Sequence, residues 1–257
     1  MTTGELPADV RDAVVRVAQT ERLLVAMDFD GTMAPLVSRA EDARPLPAAA
    51  AAFAALAVLE GTTAALVSGR ALASLRAVAS PPEQALLVGS HGAEVWLGPD
   101  SPALALSPDQ QAALHRAQDS VQAAVAANHG TAAEHKPAGV VLHYRQAAPE
   151  AAAAAVERVL DELAKDPEMF ITEGKMVLEV SVVNANKGES LAMLRDATGA
   201  TALVFVGDDV TDEHGFAALQ ARDLGIKVGP GDTTAQFRID APAQVPAVLE
   251  LLLATRR

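Results

Sequence analysis

An α/β fold with a parallel sheet, interrupted by a small α+β insertion, is predicted by three features of the sequence. Short apolar runs alternate with helix-forming segments in both the first 90 and the last 70 or so residues, the rhythm of right-handed βαβ units. Three of those runs end in polar clusters, Asp28-Phe-Asp30-Gly-Thr32, Ser68-Gly-Arg70 and Gly207-Asp208-Asp209. Between them the order becomes helix, two strands, helix, two strands, so the core is expected over 1–99 and 180–257 and the insertion over 100–179.

The elements follow in order. Arg22-Leu-Leu-Val-Ala-Met27 is short, apolar and followed by Gly31, which favours a buried parallel strand over a helix. An Ala-rich helix near 47–60 closes at Gly61, and Thr62 to Val67 is the second strand. A helix near 71–79 stops at Pro81-Pro82, and Ala85 to Val88 is the third strand. Gly98-Pro-Asp-Ser-Pro102 is turn chemistry and marks a linker. Ser107 before Pro108, with Gln110 as capping-box partner, opens a helix to about Ala127. Strands are expected near 131–135 and 139–143, a helix at about 149–164, then strands at 169–172 and 175–180. A helix near 188–197, a strand at 202–206, a helix containing Phe216, a strand at 226–228 and a helix at about 243–255 complete the chain.

Composition excludes several classes. Asp and Glu number 33 against 20 Lys and Arg, a net charge of −13 that repels nucleic acid and anionic membranes. One Trp, one Tyr and six Phe leave few platforms for stacking bases. There is no Cys, which removes disulfides and thiolate metal sites. Residues 1–21 mix Glu, Asp and Arg without a signal-peptide apolar core, and no stretch approaches a membrane span. A cytoplasmic monomer without nucleic-acid or membrane partners is expected.

The chemistry is read from the three strand ends. Ligand sites in open parallel sheets form at the carboxyl ends of strands. Two acidic clusters converging there would repel each other unless a divalent cation lies between them, and all-oxygen ligation suits Mg²⁺. Asp28 ends its strand, where its carboxylate can meet an incoming phosphorus and the metal. Asp30, two residues on in a turning loop, can protonate a leaving alkoxide and then deprotonate water. Thr32 and Ser68 offer hydroxyls, and Gly31 and Gly69 open backbone N–H groups, to phosphoryl oxygens. Lys187 offsets the charge of Asp28 and phosphate, and Asp208 completes the metal shell with Asp209 or Asp212 in support.

Asp-Phe-Asp-Gly-Thr, Val-Ser-Gly-Arg, Asn-Lys-Gly and Gly-Asp-Asp-Val-Thr-Asp-Glu resemble, in that order, the four motifs of the haloacid dehalogenase-like phosphatases. The resemblance implies a Rossmann-like core whose insertion is a C2-type cap that closes over the site and selects substrate. It is closer still to the trehalose-6-phosphate phosphatases: Gly89-Ser-His91-Gly-Ala-Glu94, Glu134-His-Lys136, His143-Tyr-Arg145, Gly174-Lys175 with Glu179, and Thr233 to Arg238 are similar to that family's segments. It implies hydrolysis of trehalose 6-phosphate through an aspartyl-phosphate on Asp28, the last step of trehalose biosynthesis, with a functional link to a trehalose-6-phosphate synthase. Asp28, Asp30, Asp208 and Asp209 would hold Mg²⁺, with Asp212 the alternative to Asp209. Glu134, Lys136, Arg145, Lys175 and Glu179 would hydrogen-bond the distal glucose, with His91 and Arg70 also facing substrate. Ser181-Val182 departs from the family where a proline is common.

Blander readings stand beside these. Glu134–Lys136 and Lys175–Glu179 alternate to one face of their strands, as cross-strand pairs also would. Arg70 and Glu94 either anchor the core or reach substrate. Asp208 to Asp212 is not a calcium loop, because Glu213 stands where that loop needs glycine. The same core would also serve sucrose 6-phosphate, mannosyl-3-phosphoglycerate or a silent sugar-phosphate sensor; the insertion's residues decide between the sugars.

Overall fold

The computed structural model describes residues 5–174 and 176–257, in two units: residues 5–102 with Ala185–Arg257, and Ala103–Asn184. The division falls a few residues later than expected at both joints, and at the second the strand Val177–Ser181 belongs wholly to the second unit.

The first unit is built on a seven-stranded sheet. In chain order its elements are α1 (Ala8–Ala18), β1 (Leu23–Met27), α2 (Pro47–Ala57), β2 (Thr62–Val67), α3 (Leu72–Ala79), β3 (Leu86–Gly89) and β4 (Glu94–Trp96). The second unit contributes α4 (Pro108–Ala127), β5 (Ala132–Lys136), β6 (Gly139–His143), α5 (Pro149–Leu163), β7 (Phe170–Gly174) and β8 (Val177–Ser181). The chain then returns to the first unit with α6 (Lys187–Thr198), β9 (Ala202–Gly207), α7 (Asp212–Ala217), β10 (Leu224–Val228), β11 (Phe237–Ile239) and α8 (Val245–Arg256).

Strand order in the large sheet is β11-β10-β9-β1-β2-β3-β4, with only β4 antiparallel. β1 sits at its centre and every residue of it is buried. Successive side chains alternate across a strand: Leu23, Val25 and Met27 enter a core covered by α1, α2, α3 and α8, while Leu24 and Ala26 join Leu191, Leu194, Phe205 and Phe216 on the other face. Met27 pairs with Leu66 of β2 and Val206 of β9, so the segments after these strands leave the sheet side by side. That register brings the three polar clusters to one edge.

The second unit has a four-stranded antiparallel sheet, β5-β6-β8-β7, with α4 and α5 on one face. Val140, Leu142, Leu178 and Val180 pack under the helices with Val121, Val159 and Leu163. The capping box is formed: Ser107 Oγ accepts from Gln110 N at 3.1 Å and Gln110 Oε1 from Ser107 N at 3.0 Å. Among the described residues no helix is long and apolar enough to cross a membrane.

Candidate active site

The site grows from the end of β1. Phe29 and Met33 turn back into the apolar core, 0% and 2% exposed, which leaves Asp28 and Asp30 on the opposite side of the loop. The loop closes tightly: Gly31 N donates to the Ala34 carbonyl at 2.7 Å and Ala34 N to that of Phe29 at 2.8 Å. The Gly31 amide, expected as an open donor for phosphate, is therefore spent on the turn. Gly31 serves by its lack of a side chain. Its φ is +82°, and a Cβ there would lie 2.3 Å from the Asp208 carboxylate. Gly31→Ala is expected to cost roughly 1–2 kcal/mol of stability from the left-handed backbone alone. It should also weaken divalent-cation binding, read by urea denaturation and by a Mg²⁺ titration.

Lys187 is the hub. It opens α6, where Asn186 caps by accepting from Glu189 N at 3.0 Å. A cation is disfavoured at a helix N-terminus, so its charge answers something other than the helix. Its Nζ donates to Asp28 Oδ1 at 2.7 Å and Asp212 Oδ1 at 2.6 Å, with the three side chains 2%, 6% and 0% exposed. Burial alone would lower the lysine, but Asp212 and Asp28 outweigh it and hold the ammonium above its ordinary value. Burial raises the Asp28 carboxyl well above the usual range, opposed by Lys187 and reinforced by Asp212 and Asp208. The other Asp212 oxygen accepts from the backbone N–H of Asp208 at 2.9 Å and of Asp209 at 2.8 Å, which folds the acidic loop over Lys187.

Asp28, Asp208 and Asp212 each bring a carboxylate oxygen within 4.8 Å of the others. Three carboxylates against the single Lys187 ammonium leave two negative charges to balance. The buried Asp28 Oδ2 and Thr32 Oγ1 have no hydrogen-bond partner among the described residues, and leaving such atoms unmet is costly. Charge, oxygen-only donors and an orphaned carboxylate oxygen all fit a divalent cation. Asp30 and Asp209, expected as ligands, stand outside this group. Asp209 Oδ1 accepts from Val210 N at 2.7 Å, and Asp30 lies on Arg70.

Arg70, expected either to anchor the core or to reach substrate, is held on Asp30. Its Nε and Nη2 donate to the two Asp30 oxygens at 2.6 and 2.7 Å, and its guanidinium lies over the Phe29 ring at 5.5 Å. This bidentate pair fixes the carboxylate's orientation. Ser68, 1% exposed, accepts at Oγ from Arg70 N at 3.2 Å. Gly69 is covered by the His91 imidazole: a Cβ on it would meet that ring at 2.4 Å. His91 sits there at a cost in backbone strain, since Ser90 and His91 have φ of +48° and +54°, each costing about 1–3 kcal/mol for a residue with a side chain. Ser90 N to the Arg70 carbonyl at 2.7 Å and His91 N to that of Ser68 at 3.1 Å hold the turn. Glu94 clamps it, accepting from Ser90 Oγ at 2.6 Å and Leu72 N at 3.2 Å.

In the second unit, Glu134 and Glu179 both face Val141 across the sheet, and with Lys136 and His143 they occupy the side away from the helices. Lys136 Nζ donates to Glu179 Oε2 at 2.7 Å, and His143 Nε2 lies 2.8 Å from Glu134 Oε2. The His143 hydrogen bond holds the Glu134 carboxyl below its ordinary value, against its partial burial. Arg145 lies in the turn after β6, and Lys175 falls outside the described residues. His115 and His129 are exposed on and after α4.

The comparisons with known proteins agree with one another. The trehalose-phosphatase family model matches residues 26–243. An uncharacterized glycosyl hydrolase of Mycobacterium tuberculosis is 32% identical over 272 residues, 95% of this chain and 20% of that protein. The chain thus spans a fifth of the length of the first curated relatives it matches. The trehalose-6-phosphate phosphatase of Escherichia coli is 32% identical over 244 residues, 88% of this chain and 84% of that one. Among solved structures, the C. albicans trehalose-6-phosphate phosphatase C-terminal domain matches with a TM-score of 0.83 over 98% of this chain and 99% of that one, a likeness of fold at 23% identity. With the family match running from within the central strand to the threshold of the last helix, the chain belongs to the trehalose-phosphatase family of haloacid dehalogenase-like phosphatases.

Proposed function

We propose that the protein hydrolyses trehalose 6-phosphate to trehalose and phosphate, with Asp28 as nucleophile. The observation that carries the reading is the Asp28 carboxylate itself: buried at the end of the central strand, it has one oxygen on Lys187 and the other without a partner among the described residues. A carboxylate so held has one oxygen to give to phosphorus. Membership of the family supports the rest.

The family implies a divalent cation, and the fit of Asp28, Asp208 and Asp212 supports one; we assign it as Mg²⁺ on its hard oxygen donors. When bound it neutralises phosphate and carboxylate charge. Asp28 forms a bond to phosphorus as the bond from phosphorus to the sugar oxygen breaks. Asp30, protonated once substrate draws it off its present two-point pairing with Arg70, gives that proton to the sugar oxygen, and trehalose leaves. Water then attacks the aspartyl-phosphate while Asp30 takes a proton from it, releasing phosphate and restoring Asp28. Lys187 holds Asp28 aligned throughout, and Thr32, Ser68 and Gly69 are assigned to the phosphoryl oxygens.

Recognition of the distal glucose is assigned to Glu134, Lys136, Arg145, Lys175 and Glu179, with His91 nearer the phosphate; the second unit is then the cap. Three of these share the polar face of their own sheet, which supports the assignment. A site that pairs substrate hydroxyls rejects analogues that leave those pairs unmade. A trehalose-6-phosphate synthase, as the source of the substrate, is the functional partner this reading implies.

A panel of trehalose 6-phosphate, sucrose 6-phosphate, glucose 6-phosphate and mannosyl-3-phosphoglycerate, with Mg²⁺ and with EDTA, tests the proposal. Phosphate release from trehalose 6-phosphate is expected to lead the panel and to vanish on chelation. A faster competitor would overturn the substrate, and activity that survives EDTA would overturn the cation.

A further inference from the structure

The acidic loop is gripped from its far side by a second buried lysine that the chemistry above does not use. Lys227 lies in β10, 3% exposed, paired with Gly207 in the sheet register. Its Nζ donates to the Asp209 carbonyl and to Glu213 Oε1, each at 3.2 Å. The same carbonyl accepts from Asp212 N at 3.3 Å. The other Glu213 oxygen accepts from Thr233 Oγ1 at 3.2 Å, Thr234 N at 2.8 Å and Thr234 Oγ1 at 3.1 Å. One chain of polar contacts thus runs from the segment before β11, through Glu213 and Lys227, to the backbone that carries Asp208, Asp209 and Asp212.

Fold stability does not call for a lysine here. The rest of β10 is buried and mostly apolar, and an apolar side chain of similar length would avoid the cost of burying an ammonium. Nor does electrostatics call for it, since a positive charge beside a cation site weakens that site. What the lysine supplies is direction: it pins a carbonyl in the middle of the loop and a carboxylate on the first turn of α7. We infer that Lys227 and Glu213 are positioning residues that set the 208–212 backbone so that the Asp208 and Asp212 carboxylates converge on Asp28. The inference rests on reading those three carboxylates as a divalent-cation site, and not on the identity of the sugar.

The test is cation affinity in the full chain stripped with chelator, by calorimetry with Mg²⁺ and by electron paramagnetic resonance with Mn²⁺. Lys227→Met is expected to weaken binding about tenfold or more, the scale on which supporting partners of metal ligands act, with a thermal midpoint near that of the parent. Glu213→Gln is expected to weaken it likewise but with a lowered midpoint, because it strips the buried Lys227 of its carboxylate. A local charge effect alone predicts tighter binding in Lys227→Met, and a purely structural role predicts a lowered midpoint at unchanged affinity. Either result overturns the inference. Should Lys227→Met not fold, Thr234→Val carries the same reading, since it loosens the chain of contacts at Glu213 and leaves the Lys227–Glu213 pair in place. A parent chain that binds neither ion overturns the cation site and this inference together. One that binds them but releases no phosphate from trehalose 6-phosphate ends the functional proposal and leaves this inference standing.

Discussion

Asp28→Asn is expected to abolish turnover on every phosphate ester, by on the order of 10⁴-fold or more, the scale seen when a covalent enzyme loses its nucleophilic machinery. The amide keeps the shape of the side chain and can still accept from Lys187, whose second partner, Asp212, is untouched. The variant should therefore fold. Stability sharpens the test. In chelator the Asp28 carboxyl is raised, chiefly by burial and further by Asp212 and Asp208, against the pull of Lys187. A folded state that holds a proton more tightly than the unfolded chain loses stability as pH rises from the ordinary carboxylate value through the raised one. Metal-free parent protein is expected to show that decline and Asp28→Asn to lack it, so the variant should melt higher at neutral pH in EDTA. Circular dichroism melts across pH, beside phosphate release on sugar and aryl phosphates, measure both. Residual hydrolysis above about one per cent in a folded sample removes the aspartyl-phosphate route, because an amide cannot stand in for the carboxylate nucleophile at so small a loss.

The parts of the molecule that were legible in the sequence are those fixed by local pattern. The apolar runs of β1, β2 and β9 could be read because a central parallel strand is buried on both faces and needs no alternation. The capping box of α4 and the Asn186 cap of α6 are likewise local signals. Helix α1 has no counterpart among the expected elements, although Val10, Ala13, Val14 and Val17 recur at helical spacing and are buried; the charges interleaved with them are its solvent face. Strands β4 and β11 are three residues each and exist only through the sheet they join, so no run of sequence announces them.

Legibility in the site follows the same division. Which residues cluster could be expected from strand ends; which atoms they hold could not. Lys187 reaches across 159 residues to Asp28, and Arg70 reaches across 40 to Asp30. The His91 imidazole covers Gly69 through two consecutive left-handed residues that are not glycine, against local preference and so invisible to it. Glu213 closes the fourth motif, but its partner Lys227 lies outside every motif, and the signal for it was thin: a single lysine inside an otherwise apolar strand.

Asp30→Asn separates the two halves of the proposed cycle. A sugar alkoxide is a poor leaving group and needs a proton as its bond to phosphorus breaks; p-nitrophenolate does not. Loss of a positioned acid is expected to slow trehalose 6-phosphate turnover by roughly 10²–10⁴-fold. With p-nitrophenyl phosphate the first step should survive, since Asp28, Lys187 and the carboxylate cluster are unchanged. The second step should fail, because the same aspartate is the base that readies water. Rapid mixing is then expected to give a burst of nitrophenolate close to one equivalent per enzyme, followed by slow release of phosphate, and no burst of trehalose from the sugar substrate. Asparagine can accept only one of the two Arg70 hydrogen bonds, through its amide oxygen, since its NH2 faces the other donor, so a thermal melt beside the rapid mixing checks that the 28–34 loop is intact. The burst is the decisive quantity. Its absence, with both substrates slowed alike, means Asp30 acts on attack or binding and not on the leaving group. A burst of both products means that the proton comes from elsewhere in the site, and Asp30 then serves only the attack of water.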